Sequence, residues 1–60
     1  MKKFMVITSL EGSQHAKFFD RLVDAEGYRM DAECGCGARA QVYEWRTDED
    51  GIEGYQFMYE

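Results

Sequence analysis

No stretch of the sequence approaches the roughly 18 consecutive apolar residues that a membrane-spanning helix needs. Phe4-Met5-Val6-Ile7 follows Lys2 and Lys3 as the start of a secretory leader would. The apolar stretch is too short for that role and stops at Glu11, and its removal would leave a chain too small to fold. It is read as a strand, and the protein is expected to be soluble and cytoplasmic. Two cysteines are too few for a disulfide framework and suit a reducing compartment. Basic residues are scarce: 7 Lys and Arg stand against 12 Asp and Glu, a net charge of −5. That balance excludes a general nucleic-acid binder, which needs a basic footprint, and adhesion to anionic membranes. With a single histidine, His15, and no recognisable nucleophile elbow near Ser13, no base, nucleophile and orienting group can be assembled. The expectation is a protein that is not an enzyme and carries no cofactor.

What the sequence does hold is globular in character. Of its 60 residues, 45% are hydrophobic, 32% charged and 15% aromatic, which separates it from disordered chains. One compact domain, residues 1–60, is expected. A chain of this size buries only about 60% of the surface that it exposes when unfolded, so its stability is close to balanced.

Residues 2–8 read as a first strand, with Leu10-Glu11-Gly12 as a connection. Ser13 suits a helix N-cap, and Ala16, Phe19, Leu22 and Val23 repeat at helical spacing, with Phe18 widening the stripe. Gly27 suits the left-handed residue that ends a helix, which would place Asp24 and Glu26 unfavourably near the negative end of the helix dipole. Residues 28–34 alternate as a half-buried strand, with Tyr28, Met30, Ala32 and Cys34 on one side. Gly35 and Gly37 bracket a turn at Cys36. Residues 38–46 form a further strand, Thr47 to Gly51 a polar turn, and residues 52–59 a last strand with Tyr55, Phe57 and Tyr59 on one side. The expected class is α+β, one helix packed on a three- to four-stranded, largely antiparallel sheet, in the order strand-helix-strand-strand-strand. Strand order stays open. So does the register of the last hairpin, where Tyr43 faces Tyr55 across a five-residue loop or Met58 across a two-residue one.

One helix covers one face of a sheet, yet residues 38–59 carry large apolar groups on both sides. Aromatic surface around Tyr43, Trp45 and Tyr55 is therefore expected to stay exposed or to be covered by a partner, a second copy included. Cys34-Gly35-Cys36 is a candidate metal pair, but a structural zinc site wants four ligands, so zinc would need carboxylates or a symmetric dimer. A redox role would favour CxxC at a helix start, and the neighbouring Glu33 would raise a thiol pKa. The scattered methionines read as core filling.

Charge is the most uneven feature. Residues 1–43 balance six acids with six bases, whereas residues 44–60 hold six acids and one base. Glu44, Asp48, Glu49, Asp50 and Glu53 belong to that last segment, and Asp48-Glu49-Asp50 with Glu53 makes a compact negative tip. Such a tip steers a protein towards a basic surface. Carboxylates two residues apart on a strand stand roughly 6.6–6.8 Å apart, near the spacing of successive phosphates. Tiny, acidic and aromatic-rich, and carrying the tract Thr47-Asp48-Glu49-Asp50-Gly51-Ile52-Glu53, the chain resembles the small acidic inhibitors encoded by bacteriophages, of which anti-CRISPR proteins are the best known. That resemblance implies binding to a nucleic-acid-handling complex, sometimes as a nucleic-acid mimic. The expected partner is a protein with a basic, nucleic-acid-binding surface, contacted through Glu44, Asp48, Glu49, Asp50, Glu53, Tyr43, Trp45 and Tyr55. The alternative is a small zinc-binding domain or dimer using Cys34 and Cys36.

Overall fold

A computed structural model describes residues 2–60, apart from the side chain of Cys36. Strand β1 runs Phe4–Leu10 and strand β2 runs Ser13–Phe19. They are joined by Glu11 and Gly12, whose φ angles of 51° and 84° are both positive. Positive φ at both central residues is the mark of the two-residue hairpin turn whose twist matches that of the strands. The turn fixes Leu10 opposite Ser13 and Phe4 opposite Phe19. Ser13 is therefore the first residue of a strand and not a helix cap, which corrects the expectation of a helix beginning there.

The helix, α1, spans Leu22–Asp31 and continues into a wide turn over Ala32–Cys36. Residues 28–34 are thus helical, not the strand that their alternation suggested. Gly27 lies inside α1, and the left-handed residue that ends the helical stretch is Gly37, at φ 70°. This shift reverses the dipole argument: Asp24 sits in the first turn and Arg29 in the last, each favourable at its end.

Strand β3 spans Arg39–Thr47 and strand β4 Glu53–Tyr59. The sheet has the order β2-β1-β3-β4 with every neighbouring pair antiparallel. The α+β class and the single helix on a four-stranded antiparallel sheet hold, with α1 entering the chain after the second strand. β1 is central and antiparallel to both neighbours, so no parallel crossover is needed.

The helix face of the sheet is made by Phe4, Val6 and Thr8 of β1 and Ala40 and Val42 of β3, all buried. Ala25 is the residue that α1 buries against them, and Phe19, Tyr28, Met58 and Tyr59 pack around the edge of this cluster. The stripe expected to seal the core does not. Leu22 and Val23 are 39% and 65% exposed, because the stripe straddles β2 and α1 instead of lying on one helix. Met30 is also exposed.

In the last hairpin Thr47 opposes Glu53 and Tyr43 opposes Phe57, two residues beyond Tyr55, because the loop has five residues as in one alternative but occupies 48–52 and not 47–51. Beyond Phe57 the ladder is irregular, and Val42 meets Tyr59. One extra residue in β4, Met58, makes a bulge. The bulge separates Tyr59 from Tyr55 and Phe57, turning it under the helix, where its hydroxyl donates to Glu26 Oε1. Arg29 lies over the Tyr59 ring at 5.6 Å and pairs with Glu26 and Glu33, so the end of β4 is fastened to α1.

Candidate partner-binding site

The acidic tip is an ordered loop. Asp48 uses its carboxylate inwards: Oδ1 accepts from the amides of Asp50 and Ile52, each at 2.9 Å. Its own amide donates to Ile52 O and its carbonyl accepts from Gly51 N, both at 3.0 Å. Gly51 sits at φ 82°, a conformation that side-chain-bearing residues adopt only with strain. With Asp48 committed to the loop, Glu49 and Asp50 point into water.

Ion pairing separates this loop from most of the other acids, although among the described residues Glu11, Asp31 and Glu60 are likewise in no ion pair. Asp20 pairs with Lys2, Asp24 with Arg21, Glu26 and Glu33 with Arg29, and Glu44 with Lys3 and Arg46. Among the described residues no ion pair reaches Asp48, Glu49, Asp50 or Glu53. The negative field of the protein therefore concentrates at the tip, where no base offsets it.

Glu44 does not belong to that group. It lies opposite Phe4 and Gln56, on the other side of the sheet from Tyr43 and Trp45. Its side chain is 16% exposed, with Arg46 at 2.5 Å and Lys3 at 3.5 Å. The hydrogen bond from Arg46 holds the carboxyl below its ordinary value, helped by the charges of Arg46 and Lys3 and opposed by partial withdrawal from water. Glu44 thus serves the fold as the centre of a small salt-bridge cluster.

The three aromatics named from the sequence do come together, on the face of the sheet that α1 leaves open. Trp45 and Tyr55 are opposite one another with ring centroids 5.0 Å apart and nearly perpendicular. Tyr43 meets Phe57 at 5.7 Å, also edge-on. Tyr55 reaches further, to Phe18 of β2 at 5.7 Å, and its hydroxyl donates to Lys2 O at 2.6 Å. Phe18, Phe57 and, in the row of Tyr43, Met5 are members of this band that the sequence reading places elsewhere or leaves out of the site. Alternation along 13–19 is the signal that marks Phe18 as a strand residue on this face. Glu53 caps the open face at its tip end, in the row of Thr47. The site is therefore a band of aromatic rings running into a negatively charged loop.

Cys34 is free and exposed on the wide turn after α1, and the Cys36 side chain lies outside the described atoms. Among the described residues no group of three or more His, Cys, Asp and Glu side chains is gathered to hold a metal ion. His15 is exposed on the helix side of β2, in a cleft of about 490 Å³ shared with Ser13, Thr8 and Tyr28. Among the described residues no hydrogen bond links His15 to Ser13. No described helix is long and apolar enough to cross a membrane. No family model, curated protein or solved structure matches the chain.

Proposed function

We propose that this protein is a small, non-enzymatic binding protein of the cytoplasm. In this proposal it acts as an inhibitor of the anti-CRISPR kind, offering its acidic hairpin tip to a basic surface of a nucleic-acid-handling complex. The observation that carries the proposal is the contrast in pairing: Glu26, Glu33 and Glu44 are matched by bases, while Glu49, Asp50 and Glu53 are not. A rigid loop adds to it. With Asp48 fixing the backbone, the free carboxylates are presented at little entropic cost on binding, as a nucleic-acid mimic requires.

The test is capture of partners from a host lysate, identified by mass spectrometry. The captured protein is expected to be one that binds nucleic acid, to be released by competing duplex DNA or RNA, and to be released by raised salt as exposed charges are screened. The double variant Glu49→Lys/Asp50→Lys, which spares Asp48, should fold normally and lose this capture. A variant that folds and keeps the same partner at the same salt would refute the electrostatic contact.

A further inference from the structure

We propose that the open face of the sheet is closed by a second copy of this chain, the two sheets packed face to face with their strands running in opposite directions. This proposal does not rest on the acidic tip having a foreign partner.

Apolar mass is distributed unevenly between the two faces of the sheet. The buried core contains Phe4, Val6, Val42 and three alanines, Ala25, Ala38 and Ala40. Tyr43, Trp45, Tyr55, Phe57, Phe18 and Met5 stand on the other face, and Phe18 and Phe57 are 45% and 53% exposed. A domain this small, with Phe4 its one buried aromatic among the described residues and five aromatics on the uncovered face, is of the type that gains stability by association. The open face is also large enough for an interface. The domain measures 37 × 24 × 18 Å across its Cα atoms, and a broad face of that size has room for the about 800 Å² that each partner gives to a standard interface.

Charge selects the arrangement. Face-to-face two-fold packing allows two axis directions, along the strands or across them. An axis along the strands puts both acidic tips and both Glu53 side chains at the same end of the pair, a repulsive arrangement. An axis across them does the opposite. Arg39 alternates with the buried Ala38 and Ala40, so it points to the open face, and among the described residues it has no ion pair. It stands as far from Tyr43 along β3 as Thr47 does in the other direction, and Thr47 is the row of Glu53. With the axis crossing at Tyr43, Arg39 of each copy meets Glu53 of the other. Strands of aligned sandwiches cross at about 30°, which leaves this pairing within reach. The loop 48–52 then projects past the end of the other copy, and Glu49 and Asp50 stay in water.

Sedimentation equilibrium of the whole chain, from micromolar to millimolar concentration, tests the proposal. The expected mass is twice that of one chain, falling to one chain for Phe57→Glu with its circular dichroism unchanged. Arg39→Glu and Glu53→Arg should each weaken dimerisation by about fivefold or more, and the double swap should recover most of the loss. The charge swap keeps the test decisive even if Phe57→Glu fails to fold. A single-chain mass for the wild type at every concentration overturns the proposal. So does a dimer indifferent to Phe57→Glu, or to both single reversals, since its interface would lie elsewhere.

Discussion

The two faces of the sheet are built on opposite plans. Under the helix, beside Phe4, lie the small side chains of Val6, Ala40 and Val42, with Ala25 from α1 closing over them. On the open side lie the large ones, Tyr43, Trp45, Tyr55 and Phe57, held edge-to-face. Small residues let the helix approach the sheet closely, which suits a short helix with little surface of its own to bury. Edge-to-face rings stabilise one another across strands by about 0.5–1.5 kcal/mol per pair without being covered. The centre of the core is therefore defined by closeness of approach, with Phe4, Phe19, Tyr28 and Tyr59 around it, while Tyr43, Trp45, Tyr55, Phe57 and Phe18 lie on the side that meets solvent or a partner.

Removing one large side chain from each face separates the two plans most clearly. Phe4→Ala, on the helix face, should cost about 3–5 kcal/mol, enough to unfold most of a domain of this size. Phe57→Ala in dilute solution should cost about 1 kcal/mol or less, because much of that ring is already in water. Equal shifts in urea midpoint for the two would show that the open face is buried in solution. Next in size is Ala25→Leu, which tests whether the helix contact depends on a small residue. Overpacking there should cost about 1–3 kcal/mol, and a neutral result would mean that the helix has room to move.

Smaller effects refine the edges. Tyr59→Phe keeps the ring under the helix and removes only the hydroxyl given to Glu26, a loss of about 1 kcal/mol read by thermal unfolding. Val23→Ala, on the outer side of α1, should stay within about 0.5 kcal/mol. A larger loss would restore Val23 to the core-facing stripe that helical spacing assigned it. The smallest expected effect is acid sensitivity. The folded-state pKa of Glu44 lies below its ordinary value of 4.5, so its contribution is complete above that value and is lost as pH falls through the lowered one. Urea midpoints followed from about pH 6 to about pH 3 should decline less steeply for Glu44→Gln than for the wild type. Parallel slopes would remove Glu44 from the account of acid unfolding.

The parts of the fold legible in the sequence were those where a local signal and the tertiary structure agree. β1, β3, the polar turn and β4 were read within a residue or two of their ends, because apolar runs and Asp50-Gly51 mark them directly. Residues 13–34 were read in the wrong order of states. There the apolar residues satisfy both periods, since Phe18 and Phe19 are adjacent and Ala16, Phe19, Leu22 and Val23 recur at helical spacing across a strand-helix junction. What decides between the periods is the Glu11-Gly12 turn, whose two positive φ angles return the chain onto β1. The bulge at Met58 had no signal in the sequence, and it alone divides Tyr59 from Tyr55 and Phe57. Of the candidate site, the aromatic trio and the acidic tip are gathered as expected, whereas Glu44 is taken away by strand parity, since its neighbours Tyr43 and Trp45 face the other way.

The strand order β2-β1-β3-β4 carries a kinetic consequence. β1 with β2 and β3 with β4 are hairpins closed by short loops, and structures of that kind form in microseconds. The contact between β1 and β3, which pairs Phe4 with Glu44 and Ser9 with Arg39, has to close across α1 and the turns around it. The slow event in folding is then the docking of two preformed ribbons along Val6 and Val42. Changes at the two loop ends, which weaken ribbons already formed before docking, should slow folding with little effect on unfolding, while substitutions at the seam should divide their effect between the two rates, a division that a chevron analysis of Gly51→Ala and Val42→Ala would read directly.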